Sequence, residues 1–76
     1  MTVLNRIERL QEAHPWMEES DIHAMLVAKY FMLTRIEELE GVELHAAMEE
    51  FTNEVKIMDE KKLRAAVEQT TQHYFD

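Results

Sequence analysis

The segment His23–Leu33 reads HAMLVAKYFML. Nine of its eleven residues are apolar, in a chain of 76 residues with a formal net charge of −8 at pH 7. Its periodicity is helical. At about 100° per residue, Ile22, Met25, Leu26, Met32, Leu33, Ile36 and Leu39 fall within one broad face. Val27 and Phe31 project to the other side, beside Ala24 and Ala28. A helix that is apolar on two faces is either central in its fold or part of an interface between chains.

Outward from this segment, one proline and one glycine are the strong punctuation. Pro15 ends a first helix near His14, because the residue before a proline is pushed out of the α region. Thr2 is placed to cap that helix, and Val3, Leu4, Ile7 and Leu10 share a face. Gly41 stands where a C′ glycine would stop the second helix, and Ser20 or Asp21 is placed to cap its start. In the third part, Leu44, Met48, Phe51, Val55 and Met58 repeat at 4, 3, 4, 3. This seam predicts a helix folded back antiparallel on the second. Past Met58 the apolar stripe rotates to Leu63, Ala66, Val67, Thr70 and Tyr74, with Asp59 as the N-cap of a fresh helix. A single helix through the whole of residues 42–74 is the alternative, since no Gly or Pro interrupts it. The expectation is one all-α domain over 1–76, a bundle of three to four helices at about 2–13, 18–40, 43–58 and 60–74. Glu60, Arg64 and Glu68 form an i,i+4 ladder on the solvated side of the last.

Size and composition limit the rest. A chain this short buries about 60% of its unfolded surface, so its core is marginal alone. There are no cysteines to staple it, which leaves helix packing and association with another chain. A homodimer or higher oligomer through the second face of the central helix is therefore expected. The opening MTVLNRIERLQEA is interrupted by Arg6, Glu8 and Arg9 and has no signal-peptide core. A membrane span needs about 20 apolar residues, so a soluble, cytoplasmic protein is expected.

Charge is unevenly spread. Residues 17–60 hold twelve acidic and three basic residues. Glu37, Glu38 and Glu40 crowd the end of the expected second helix, where the macrodipole disfavours negative charge. With Glu43 they form a candidate docking patch for a basic protein surface, although an acidic face also serves solubility alone. Direct nucleic-acid binding is disfavoured, because eight basic residues face sixteen acidic ones. A surface imitating nucleic acid is a narrower form of the docking idea.

Candidate chemistry is sparse. Glu19 with His23, and His45 with Glu49, are i,i+4 pairs, but Glu-x-x-His and His-Glu-x-x-His are absent. Surface or interface histidines are expected, with no metal and no cofactor. The acidic pattern of nucleotide pyrophosphohydrolases, Glu-Glu-x-x-Glu before a Glu-x-x-Asp, is missed by one residue at Glu49, Glu50 and Glu54. Ser20 is the single serine and has no glycine elbow. Lys29 lies within the main apolar face and is expected to snorkel from a core edge. With Tyr30 and Arg35 it forms the candidate ligand-binding set. Trp16 and Met17 are expected to fold back as a lid, with Trp16 as an alternative binding anchor beside Val27 and Phe31. The methionines on the packing faces are read as core filling.

These features favour a small, acidic, non-catalytic interaction protein, an adaptor, regulator or inhibitor of the kind phage and accessory systems encode. An oligomer binding a small ligand or nucleotide at subunit junctions is the first alternative. A carboxylate- and metal-dependent enzyme is the second.

Overall fold

The structure, a computed structural model, describes the backbone of residues 3–75 and the side chains of residues 5–70. Among the described residues four helices follow one another: α1 (Val3–Ala13), α2 (Glu19–Arg35), α3 (Gly41–Ile57) and α4 (Glu60–Phe75). The protein is an all-α helical bundle. Thr2, its expected cap for α1, lies outside the described residues, as do the side chains of Val3, Leu4, His73 and Tyr74.

Helix α2 is central because it touches each of the other three, while α1 also lies against α3. The core is assembled from Ile7 and Leu10 of α1, Ile22, Met25, Leu26 and Leu33 of α2, Met48 and Val55 of α3, and Leu63 of α4, with Met17 entering from the first connection. Burying such side chains stabilises the fold by about 1.5–3 kcal/mol each. The Cα radius of gyration is 12.1 Å, close to the value of about 11 Å expected for a chain of this length. Among the described residues, no helix is long and apolar enough to cross a membrane.

Each helix end has a local cause. His14 still donates its backbone N–H to Leu10, at 2.8 Å, and the chain then turns through Pro15 and Trp16, with Met17 N–H on the His14 carbonyl at 3.0 Å. Glu18, not Ser20 or Asp21, is the N-cap of α2. It is extended and gives no side-chain cap, while its carbonyl accepts from Asp21 and Ile22 at 3.1 Å. The acidic first turn, Glu19 and Asp21, faces the positive end of the helix dipole instead.

The largest departure from the sequence reading is the end of α2. The helix stops at Arg35, not near Glu40. Ile36 and Glu37 both donate to the Met32 carbonyl, and Leu39 reaches back to Leu33 at 2.9 Å. Glu38 takes a left-handed conformation (φ 56°) to make that reversal. Leu39 is thereby returned to the core, whereas Ile36, expected on the inner face, is 75% exposed. The 100° step holds only while the helix lasts.

Gly41 is accordingly not the stop of α2 but the first residue of α3, with φ +60°. A Cβ there would meet no atom within 4 Å, so the glycine is required by backbone conformation alone. The seam of α3 packs as the spacing implies: Met48 and Val55 are buried, and Leu44, Phe51 and Met58 lie against the core. Residues 42–74 are two helices. Met58 leaves the helical region (ψ 144°), and Asp59 Oδ2 accepts from the backbone of Lys61 at 3.1 Å and Lys62 at 3.4 Å. That capping satisfies donors which a helix start leaves open.

Candidate functional site

The outer side of α2 is the first candidate. Val27, Tyr30 and Phe31 are 40%, 51% and 55% exposed. At i, i+3 and i+4 they form one patch on the helix that packs against all the others. The first helix and the Trp16 segment, the available intramolecular covers, are used elsewhere. Met17 is buried in the core. Trp16 is half-buried as a lid, with the Arg64 guanidinium 4.2 Å from its ring centroid and the His14 ring edge-on at 6.0 Å. Arg64 also holds Glu60 at 3.2 Å, the first rung of the expected ladder.

Two depressions flank the seam where α2 meets α3. One, of about 380 Å³, is lined by Arg6, His23, Leu26, Val27, Tyr30, Gly41, Leu44, His45 and Met48. The other is lined by Lys29, Leu33, Glu37, Leu39, Ala47, Glu50, Phe51 and Glu54. The structure thus separates the candidate ligand set of Lys29, Tyr30 and Arg35. Lys29 is half-buried, its Nζ 5.4 Å from the Phe51 ring centroid among carboxylates. Tyr30 lines the opposite groove. Arg35 is exposed and stacks over Phe31 at 5.2 Å.

The acidic patch is exposed but differently placed from its expected position. Glu37, Glu38 and Glu40 lie in the connection after α2, and Glu43 lies in the first turn of α3. Glu40 is the N-cap residue of α3, so it and Glu43 sit at the favourable end of a helix dipole. Glu37 and Glu38 follow directly on the C-cap Ile36 and stay at the unfavourable end of α2, so the expected break of the dipole rule is lifted for Glu40 but not for them.

Beside the groove lies an ionic cluster that spacing did not reveal. Glu49 Oε1 and Oε2 accept from Arg9 Nη1, and Oε2 also from Arg9 Nη2, all at 3.2 Å. Arg9 Nη2 reaches Asn53 Oδ1 at 3.4 Å as well. Arg6 Nε lies 3.3 Å from Glu49 Oε1, and Arg6 Nη2 donates to His45 Nδ1 at 3.4 Å. Accepting at Nδ1 requires the proton of the neutral ring to sit on Nε2. The Arg9 hydrogen bonds, followed by the charges of Arg9 and Arg6, hold the Glu49 carboxyl below its usual range against the opposing effect of burial. Two guanidinium groups therefore share one carboxylate.

His14 corrects the expectation that the histidines are surface groups. It is buried, and its Nε2 donates to the Val55 carbonyl at 2.8 Å, tying the end of α1 to the end of α3. A partial signal was present, since His14 extends Ile7 and Leu10 at i+7 and i+4 along one stripe, and Arg6 lies one turn before Leu10. Thr52 is likewise buried, with its hydroxyl on the Met48 carbonyl at 2.8 Å. His23 and His45 are exposed. Among the described residues, no group of three or more His, Asp or Glu side chains is placed to hold a metal ion.

Comparison of the chain with protein-family models, with curated proteins and with solved structures gives no match.

Proposed function

We propose that this chain is a small, non-catalytic cytoplasmic docking protein that seats a protein partner on the outer face of α2. The observation that carries this reading is the uncovered patch of Val27, Tyr30 and Phe31 on the most enclosed helix of the bundle. Apolar and aromatic side chains grouped on a surface supply most of the binding energy of protein interfaces. Tyr30 lines one groove with Gly41 and Leu44, which joins the patch to the start of α3. There Glu40 and Glu43, with Glu37 and Glu38 before them, provide an exposed acidic flank. The partner that fits is an apolar ridge bordered by Lys or Arg, its approach steered by opposite charge. Such a partner surface is what an adaptor, regulator or inhibitor of a basic protein would cover.

The same patch supports self-association as the second reading, since a second copy would also cover Val27 and Phe31. It is less favoured, because each copy brings a net charge of −8 and like charges across an interface oppose binding. Light scattering separates the two readings: the docking protein is a monomer without its partner. Binding should be lost in Val27→Ser/Phe31→Ser and should weaken as salt rises. If charge reversal at Glu37, Glu38, Glu40 and Glu43 leaves partner affinity and its salt dependence unchanged, the acidic flank plays no part.

A further inference from the structure

We propose that the groove between α2 and α3 binds a small monocarboxylate with an unbranched apolar tail, its head held at Arg6 and its tail laid along Leu26, Leu44 and Met48. This inference names a ligand class distinct from the protein partner above, and it makes no use of Phe31.

Among sixteen acidic and eight basic residues in the chain, the residues lining this groove include Arg6, His23 and His45 but no carboxylate. The nearest acid, Glu49, is already shared by Arg6 and Arg9. A ligand carrying one negative charge meets basic side chains and no carboxylate along this lining.

Arg6 is only 6% exposed, and its buried Nε has no hydrogen-bond acceptor among the described residues. Glu49 Oε1 is 3.3 Å away but off the line of the N–H. A guanidinium presents five N–H donors in a planar fork suited to a carboxylate. Arg6 commits one of them to His45, at 3.4 Å. The buried Nε stays within the Glu49 ion pair, so the donors left for a ligand are those of the Nη groups, of which Nη2 makes only the long His45 contact.

At about 380 Å³ the groove lies in the size range of small-molecule sites, which are mostly apolar with a few placed polar groups. Leu26 and Met48 belong to the core and form a preformed floor. A thioether and aliphatic carbons suit a flexible alkyl chain. The cationic wall excludes an alkylammonium, and the apolar floor gives a bare inorganic anion nothing to bind.

The test is a titration of the full chain, followed by amide chemical shifts, with octanoate, octan-1-ol, octylammonium and inorganic phosphate as probes. Octanoate should give saturable shifts at Tyr30, Leu44 and His45. Octan-1-ol, with the same tail, should bind at least about tenfold more weakly, the loss expected when a charged hydrogen bond is replaced by a neutral one. Octylammonium and phosphate should give no saturable shifts there. Arg6→Gln should abolish the preference for octanoate over the alcohol. Because Arg6 is buried and its variant could unfold, His45→Glu at an exposed position is the second arm. It places a carboxylate beside Arg6 and should weaken octanoate at least about tenfold while retaining the fold. Equal binding of octanoate and octan-1-ol overturns the proposal, as does phosphate competing as well as octanoate. Saturable shifts confined to the Lys29 depression, no saturable shifts at millimolar octanoate, or unchanged affinity in a folded His45→Glu variant do the same.

Discussion

The two faces of α2 are similar in composition and opposite in use. Ile22, Met25, Leu26 and Leu33 are enclosed by three other helices, whereas Val27, Tyr30 and Phe31 stay about half exposed, with Arg35 laid over Phe31. Hydrophobicity alone does not decide which side of a helix stabilises a fold. The deciding feature is whether the chain has another element to lay against it. With four short helices and one core, this chain covers one face and part of the flanks. Stability therefore lies with the inner face, and binding is proposed for the outer one.

The sharpest way to break that contrast is paired truncation. Leu26→Ala should cost about 2–5 kcal/mol in chemical denaturation, through lost burial and a residual cavity. Phe31→Ala should stay within about 0.5 kcal/mol of the parent, as surface changes do. Comparable losses at both positions would place Phe31 inside the fold and remove the docking face.

The next effect concerns the α1–α3 contacts that hold the inner face closed. Glu49→Gln should cost about 1.5–3 kcal/mol at neutral pH, because Arg6 and Arg9 lose a charged acceptor. Glu49 has a folded-state pKa lowered from 4.5, chiefly by the Arg9 hydrogen bonds. Its contribution is thus fully present above pH 4.5 and is lost as pH falls through the lowered folded value. The stability gap between parent and Glu49→Gln should close on acidification below that point. A gap independent of pH would mean that the carboxylate charge is not what matters. His14→Ala should cost about 0.5–1.5 kcal/mol by removing the Nε2 hydrogen bond to the Val55 carbonyl, which keeps the Met58 N–H as its other donor, with partial recovery in His14→Gln, which retains a donor.

The smallest expected effect has the opposite sign. Glu38 holds a left-handed conformation that costs an L-residue about 1–2 kcal/mol, partly offset by the entropy a glycine loses there. Glu38→Gly should stabilise the protein by about 0.5–1 kcal/mol. A destabilised variant would show that the Glu38 side chain makes a contribution exceeding its backbone strain.

These residues also mark what the sequence could reveal. The inner stripe of α2, the Leu44–Met58 seam and the Asp59 cap are local patterns of period or hydrogen bonding, and all were legible. The end of α2 was not, because Arg35 carries no stop signal and the reversal is made by a glutamate rather than by the glycine three residues later. That one misplacement carried Ile36 to the wrong face and Glu40 to the wrong helix end. The groove was hidden for a different reason. Arg6 and Glu49 are brought together by packing across 43 positions of sequence, and no spacing within either helix records it. Of its lining, Val27 was singled out beforehand for a partner and Tyr30 for a ligand, while Lys29 and Arg35, named with Tyr30, lie elsewhere.

The most direct measurement of the central claim is quantitative capture of the partner from cells that express the chain, with parent and Val27→Ser/Phe31→Ser compared at matched thermal stability. The account predicts a double variant with a melting temperature within about 4 °C of the parent, the shift equivalent to less than 1 kcal/mol in a domain of this size. Its partner recovery should be at least about tenfold lower, as expected for truncating an aromatic anchor at an interface. A folded double variant that recovers the same partner undiminished would contradict the account.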